Sequence, residues 1–466
     1  MPQPTHKPTL AHLQSQSDRP LRQSITAWLR TGKHWGQGGM IALLLLLTAC
    51  GNGTQTTTEA PETETETTTA SNGTDGALKL GSLLPITGDL AQYGTTMQDT
   101  AQLLIETANA CDGALGQPVE LVSEDDQTDP AAGASGMTKL AEVDRVAGVI
   151  GAAGSAVSSA AVDIAVRNQV VQISPSSTSP EFTERARQGD FDGFWFRTAP
   201  PDTFQGDALA QLAREEGFEN VAVLAINNDY GNGLVQAFTT AFTAEGGTVI
   251  NEANPTLYSE GATTFDSELA AAFSGDPDAV LLVAYPETGS LILKSAYEQG
   301  LLDGETQILL TDGMKTDQLA ELVGRDPDGG YIVSGVIGTA PSAGGPGLDA
   351  FQEIYTSRFN RDPNVFDPNT WDAAAVLLLA AESAQGTTGA ALKDQIREVA
   401  NAPGQEVSDI CEALALVRDG QPINYEGASG SVDFNDEGDV VGAYDVWTIT
   451  DGGSLEVQST IEVGVD

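Results

Sequence analysis

The chain of 466 residues carries 66 acidic side chains against 21 basic ones, a formal net charge of −45 at pH 7. A surface this acidic repels nucleic acid, so the composition argues against a DNA or RNA partner. All three histidines (His6, His12 and His34) precede Cys50, so the rest of the chain lacks the imidazole that Ser-His-Asp hydrolysis, Cys-His catalysis and histidine-ligated zinc require.

The beginning of the chain has the layout of a secretory signal. A basic leader precedes an apolar run of about ten residues from Met40, too short to cross the ~30 Å core of a bilayer as a helix. Small residues then lead to Cys50, and the Leu-Thr-Ala-Cys ending resembles a bacterial lipoprotein processing site. We therefore expect a signal peptide at 1–49 and acylation of Cys50. An uncleaved signal-anchor helix is the alternative.

Residues 51–76 are rich in Thr, Glu, Gly and Asn and contain no aromatic residue. Such a segment cannot bury enough apolar area to offset its ordering entropy, so we expect residues 50–76 to be a flexible, lipidated tether. This predicts a soluble body outside the cytoplasm, held at the membrane by lipid alone. In that oxidising compartment Cys111 and Cys411 could form one disulfide, with two separate buried thiols as the alternative. Neither cysteine has metal-ligand spacing, and no metal or cofactor is expected.

After residue 77, short apolar runs alternate with stretches of helical length. The first group predicts strands at 78–84, 118–124, 146–152 and 170–174, with helices at 95–110, 131–143 and 156–167. A break near 194–201 precedes a second group, with strands at 221–227, 247–250, 279–285 and 307–311 and helices at 202–215, 231–244, 264–273 and 287–299. The pattern predicts parallel sheets covered on both faces, and the length predicts an α/β fold of two doubly wound lobes. The helix-rich stretch 346–400 and the strand-like stretch 440–449 must then become part of one or both of these lobes.

Three loops that follow predicted strands have the composition of a ligand site, because ligands of doubly wound folds bind at the carboxyl ends of strands. The loop 151–159 offers small residues and Ser155 at a helix start, which favours a carboxylate. The loop 174–180 is rich in hydroxyl groups, and Asp312 follows the strand 307–311 where it could face an ammonium. Each residue alone could be an ordinary helix cap. Together they match the two charged ends of a zwitterion.

Five sequence stretches carry a family resemblance: GSLLPITG at 81–88, AQYG at 91–94, EDDQTDP at 124–130, ISPSST at 173–178 and NDYG at 228–231. In this order and spacing they resemble the periplasmic branched-chain amino-acid-binding proteins of ABC transporters. The resemblance covers nearly all of 77–450. It implies a Venus-flytrap fold of the type I periplasmic binding proteins, which closes two lobes over a ligand.

The resemblance also implies roles for individual residues. Ser155 matches the family serine that binds the ligand carboxylate, and Ser177 with Thr178 matches the pair that contacts carboxylate oxygens and part of the amine. Asp312 matches the acidic partner of the ammonium, where leucine-binding members carry Glu, so its reach is one methylene shorter. The walls around the ligand side chain are expected at Tyr93, Tyr230 and Tyr285. The family's local disulfide in the first lobe is absent, because Gly154 occupies one of its positions.

We expect the first lobe to comprise 77–198 plus 334–437, and the second 199–333 plus 438–460, joined by three hinge crossings. The resemblance implies that the protein is a monomer that delivers an amino acid, branched-chain or otherwise aliphatic, to ABC permease subunits with cytoplasmic ATPases. Two alternatives remain: a ligand-sensing receptor of the same fold, and a binding protein for a small amide such as urea.

Other motifs are weaker. The glycines at 231 and 233 start an incomplete dinucleotide fingerprint, and the run 433–438 resembles a calcium loop whose twelfth position is Tyr444 instead of Glu. The Gly427–Ser431 stretch is not a nucleophile elbow and has no histidine to activate it. We therefore expect a binding protein and not an enzyme.

Overall fold

The structure is a computed structural model that describes residues 76–464. The predicted signal peptide 1–49, Cys50 and the predicted linker, apart from Gly76, lie outside the described residues. Within the described part, no helix has the length and apolar character that a bilayer crossing requires.

The first sheet is parallel and has five strands in the order β2-β1-β3-β4-β5. Its strands are β1 Lys79–Leu84, β2 Glu120–Asp125, β3 Gly148–Gly151, β4 Val171–Ser174 and β5 Trp195–Arg197. The central strands β3 and β4 are buried along their whole length. This burial explains their apolar sequences, because a parallel sheet is covered by helices on both faces.

The second sheet has eight strands and is mixed, in the order β15-β14-β11-β10-β9-β6-β7, with β8 also paired to β6. Its parallel strands are β6 Asn220–Ile226, β7 Thr248–Val249, β8 Thr256–Tyr258, β9 Ala279–Val283, β10 Gln307–Leu310 and β11 Ile337–Pro341. Two antiparallel strands, β14 Tyr444–Ile449 and β15 Leu455–Ile461, extend it. A separate parallel pair joins β12 Gln405–Val407 to β13 Ile423–Tyr425.

Helices cover both sheets. In chain order they are α1 Ala91–Ala110, α2 Pro130–Thr138, α3 Ser155–Arg167, α4 Glu181–Gln188, α5 Asp202–Glu215, α6 Asp229–Ala244, α7 Asp266–Ala272, α8 Pro286–Glu298, α9 Leu319–Val323, α10 Leu348–Phe359, α11 Asp367–Ala384, α12 Gly389–Lys393, α13 Ile396–Ala400 and α14 Ile410–Arg418. We call the first sheet with α1–α4 and α10–α14 the first lobe, and the second sheet with α5–α9 the second lobe. The two sheets and their helices confirm the predicted α/β class.

Helix α11 forms the buried centre of the first lobe. It packs against α1, β3 and β4, and its residues from Trp371 to Ala381 are buried on all sides. A Cβ on Gly148 of β3 would lie 2.6 Å from a methyl carbon of Leu377, so only glycine allows this close approach. Apart from the buried Asp372, which accepts bonds from Ala428 and Ser429, this stretch of the helix is apolar on all faces and not along one stripe only.

The chain passes between the lobes three times. It leaves the first sheet after Arg197, returns after Pro341 and enters the second sheet again before Tyr444. The lobe boundaries expected from the sequence stay a prediction, with one correction. Because β11 pairs with β10, residues 337–341 belong to the second sheet and not to the segment 334–437.

A disulfide links the two ends of the first lobe's sequence. Cys111 follows α1 and Cys411 lies in α14, and the structure joins them with a Cα–Cα distance of 5.7 Å across a separation of 300 residues. The disulfide links α14, near the C-terminal end of the first lobe's sequence, to the end of α1, which is its first helix.

Candidate functional site

A cavity lies between the lobes, and five of the seven predicted ligand residues line it: Tyr93, Ser155, Tyr230, Tyr285 and Asp312. The unfilled space is about 330 Å³, but it includes space open to the surroundings, and only about 20 Å³ accommodates the centre of a water molecule. That is room for one or two waters. The lobes are therefore closed tightly on each other.

One end of the cavity is built for an anion. Ser155 is the first residue of α3, and Gly154 before it has an extended conformation and offers no side-chain cap. The first N–H groups of a helix have no partner within it, and they form the positive end of its dipole. The Ser155 hydroxyl, which accepts a 3.3 Å bond from the Ser179 N–H, lies beside them. A carboxylate fits this end of the cavity.

The loop after β4 differs from the expectation in detail. Ser177 and Thr178 do not line the cavity, and Ser176 does so instead. The Ser177 hydroxyl lies 3.0 Å from the Ala153 carbonyl and 2.8 Å from the Ser158 hydroxyl, so it joins two loops of the first lobe. The Thr178 hydroxyl is buried and has no hydrogen-bond partner within the described residues.

The other end of the cavity is anionic. Asp312 follows β10 in a short 3₁₀ turn, and its Oδ1 accepts a 2.7 Å hydrogen bond from the Tyr230 hydroxyl. Burial raises the pKa of Asp312 to about 6, although the hydrogen bond from Tyr230 opposes this shift. Gly313 leaves space for that tyrosine, because a Cβ there would lie 3.0 Å from the Tyr230 hydroxyl oxygen.

Tyr230 is held in place by the start of α6. The Asn228 side chain accepts a 3.0 Å bond from the Gly231 N–H and so caps the helix. A Cβ on Gly231 would lie 1.9 Å from the Ile226 carbonyl oxygen, so this position requires glycine. The NDYG stretch thus fixes the tyrosine that holds Asp312.

Asp202 is a second buried acid that the sequence analysis missed. It is the first residue of α5, it is fully buried, and neither carboxylate oxygen has a hydrogen-bond partner among residues 76–464. Burial, with added repulsion from Asp312, raises the pKa of its carboxyl group well above the usual value. The signal in the sequence was an acid directly after Pro200 and Pro201, at the break between the lobes, but an acid at a helix start is ordinary.

The side walls of the cavity are aromatic and apolar. Tyr230 and Tyr285 stack with ring centres 5.5 Å apart, and Tyr93 packs edge-on against Phe366 at 6.1 Å. The Tyr93 hydroxyl donates a 3.3 Å bond to the Asp312 carbonyl across the cleft. The first lobe completes the wall with three residues that the sequence analysis did not identify: Leu90, Met97 and Phe366.

The described residues contain no group of three or more His, Cys, Asp or Glu side chains arranged to hold a metal ion. The cavity itself is a closed, largely apolar chamber lined by the hydroxyls of Ser155 and Ser176 and by the carboxyl group of Asp312.

Comparisons with known proteins identify the family of the chain. Residues 96–452 match the family described as receptor family ligand binding region. The chain is 26% identical over 404 residues to the chemotactic signal transduction system substrate-binding protein BasB of Halobacterium salinarum, covering 83% of this chain and 90% of that one. It is 27% identical over 336 residues to the Leu/Ile/Val-binding protein BraC3 of Rhizobium johnstonii, covering 70% and 86%.

The structure is also similar to the crystal structure of the leucine-binding protein LivK of Thermotoga maritima. The TM-score is 0.69 at 27% identity, covering 83% of this chain and 99% of that one. The two lobes are therefore arranged as in a known amino-acid-binding protein.

Proposed function

Because the chain belongs to the receptor ligand-binding-region family, as a type I periplasmic solute-binding protein of the Leu/Ile/Val-binding kind, we propose that it binds an amino acid between its lobes and delivers it to an ABC permease. Proteins of this kind bind solutes without transforming them, so the chain is not an enzyme. The proposal places the body outside the cytoplasm, tethered through lipid on Cys50.

The observation that carries the proposal is the opposite polarity of the two ends of one cavity. Ser155 and the start of α3 offer hydrogen-bond donors at one end, and Asp312 offers a carboxylate at the other. Bonds between ionised groups and such partners are the strongest hydrogen bonds in proteins, and exclusion of water strengthens them further. A free α-amino acid carries a carboxylate and an ammonium on the same carbon, so one molecule can use both partners at once.

The walls favour an aliphatic side chain. Leu90, Met97 and Phe366 of the first lobe supply apolar surface, and the stacked Tyr230 and Tyr285 supply aromatic faces. Burying a branched aliphatic side chain here would contribute about 2 kcal/mol. A carboxylate without an ammonium, such as benzoate, would leave the charge of Asp312 unpaired in a buried site, which is costly.

Ligand binding is coupled to closure in this proposal. Ser155 belongs to the first lobe and Asp312 to the second, so one molecule can contact both only when the lobes are closed. Such a ligand shifts the population toward the closed form. A permease would then distinguish the loaded protein by its closed shape.

A second function has a specific observation in its favour. The relative BasB is named as the substrate-binding protein of a chemotactic system and matches over 90% of its length. A signalling receptor that recognises the closed form would require the same ligand site as a permease does. Pull-down of solubilised membrane proteins with the loaded protein separates the two, since transport requires a permease and sensing requires a receptor.

Isothermal titration calorimetry with the twenty amino acids, urea, acetamide and benzoate tests the ligand class. We expect saturable binding of aliphatic amino acids and none of benzoate or urea.

Asp312→Ala should weaken amino-acid binding roughly tenfold to a hundredfold, because a hydrogen bond to a charged group is lost. The control is Asp317→Ala, which removes an exposed acid from the same loop and should bind as the wild type does. Benzoate or urea binding in place of amino acids would contradict the proposal.

A further inference from the structure

Hydrogen bonds join the lobes at a place that is separate from the cavity. The Thr288 hydroxyl of the second lobe donates a 2.5 Å bond to Asp89 Oδ2 of the first lobe. Gln92 receives a 3.3 Å bond from the Thr316 hydroxyl and donates one of 3.4 Å to Glu287. None of these side chains lines the cavity.

The contact at Asp89 combines one hydrogen bond with the charge of a carboxylate near a helix start. Thr288 is the third residue of α8, and the N-terminal residue Tyr285 gives this helix no side-chain cap. The carboxylate of Asp89 therefore meets the first turn of α8 from the opposite lobe, at the positive end of the helix dipole. A charged acceptor also makes this bond stronger than a neutral one. The Asp89 carboxylate thus adds a favourable charge to the start of α8 when the lobes are closed.

Burial protects these contacts from competing water. Thr288 and Thr316 are 4% and 1% exposed, and Gln92 is half-buried. The backbone of Gln92 is also fixed within the first lobe, because Asn364 donates a 3.2 Å bond to the Gln92 backbone carbonyl. The Gln92 side chain therefore extends toward the second lobe from a fixed position on α1.

We propose that Asp89 and Gln92 form a latch that stabilises the closed form without contacting the ligand, and so sets how long any bound amino acid is retained. The inference rests on the proposed binding function for its ligand and concerns the regulation of that site. A latch that favours closure raises the affinity for every ligand by the same factor, because it acts on the equilibrium between the open and closed forms. It leaves the ratio of affinities between two amino acids unchanged. A residue that touches the ligand would change that ratio.

The test uses Thr288→Val, which removes the donor and keeps the shape, and Gln92→Leu, alone and combined. The control is Thr95→Val on α1, whose exposed hydroxyl bonds only to Ala91 of its own helix. Spin labels at Gln102→Cys and Lys294→Cys, exposed positions on α1 and α8, report the distance between the lobes in a Cys50→Ser background. Stopped-flow dissociation of two different aliphatic amino acids gives the retention.

Without added amino acid, the double variant should show a longer distance between the labels than the wild type and Thr95→Val do. Its dissociation rates should rise roughly tenfold or more, by the same factor for both amino acids, since one short and two long hydrogen bonds are lost. Unchanged distances in the double variant would overturn the latch, as would unequal changes for the two amino acids. If no amino acid binds the wild type, the proposed function fails, and the distance measurement still decides whether the latch exists.

Discussion

Arg197 and Asp439 form an ion pair with 2.6 Å between Nε and Oδ1, and their side chains are 0% and 3% exposed. Arg197 ends β5 at the first crossing between the lobes, and Asp439 lies in the third crossing. The same guanidinium donates to the carbonyls of Ser177 at 3.1 Å and Ser179 at 2.9 Å. One buried cation therefore connects two hinge segments to a loop of the ligand site.

Replacing this cation should destabilise the fold strongly. Arg197→Met leaves Asp439 buried without its partner, and removal of one member of a buried pair costs about 3–5 kcal/mol. Urea denaturation followed by circular dichroism measures the loss. Arg187→Met is the control, because Arg187 pairs with Glu437 at 3.1 Å but is 55% exposed, and such surface pairs contribute less than about 1 kcal/mol. Equal losses in the two variants would contradict the role given to Arg197.

Amino-acid affinity should fall in acid. The pKa of Asp312 is raised to about 6, and only its ionised form holds an ammonium. Protonation therefore competes with the ligand as the pH falls through 6, and the loss of affinity approaches about tenfold per pH unit below that value. Calorimetric titrations from pH 8 to pH 5 measure the effect. Asp312→Asn should bind weakly at every pH, and a steep pH dependence retained in this variant would assign the titration to another group.

The free energy of unfolding should also depend on pH between about pH 4 and pH 7, through a different residue, Asp126. Burial raises the pKa of Asp126 to about 7, above the value near 3.9 of an unfolded chain. The folded state therefore binds more protons, and this stabilisation is complete below pH 4 and lost as the pH rises through 7. The free energy of unfolding should be larger at pH 5 than at pH 8, with Asp126 contributing up to about 3 kcal/mol of the difference.

Asp126→Asn tests that assignment. The amide oxygen can keep the 2.8 Å bond from the Thr128 N–H and carries no charge at pH 8. Urea denaturation should show a smaller difference between pH 5 and pH 8 than in the wild type. The exposed Asp112→Asn should leave the difference as it is. An unchanged difference in Asp126→Asn would show that other buried acids carry it.

Ser155→Ala should weaken recognition of the ligand carboxylate. Loss of one neutral hydroxyl partner costs about 1 kcal/mol, or roughly fivefold in affinity. Free amino acids should lose more affinity than their amides do, because the amide lacks the negative charge that this end of the cavity recognises. Calorimetry with a free amino acid and its amide measures both losses. Equal losses would place the carboxylate elsewhere.

The alternation of strands and helices could be predicted, because apolar runs and stretches of helical length alternate many times along the chain. The family resemblance, which is confirmed, located the loops. The direction in which an individual loop side chain points was harder to predict. Ser176 and not Ser177 reaches the cavity, since no periodicity tells which of two neighbouring hydroxyls points inward. Strand β5 was missed because three residues, one of them charged, carry no strand pattern; only the structure shows that Arg197 is buried. Phe366 was missed because its approach to Tyr93 depends on the long-range packing of α11.

The burial of α11 against β3 and β4 has a consequence for biosynthesis. A ribosome completes the five strands of the first sheet and then the six parallel strands of the second sheet before it makes α11. One apolar face of the nascent first sheet, including Ile150 and Ile173, therefore lacks its native partner α11 while most of the chain is still being translated. We expect this lobe to reach its native state only after most of the polypeptide, including α11, has been synthesised.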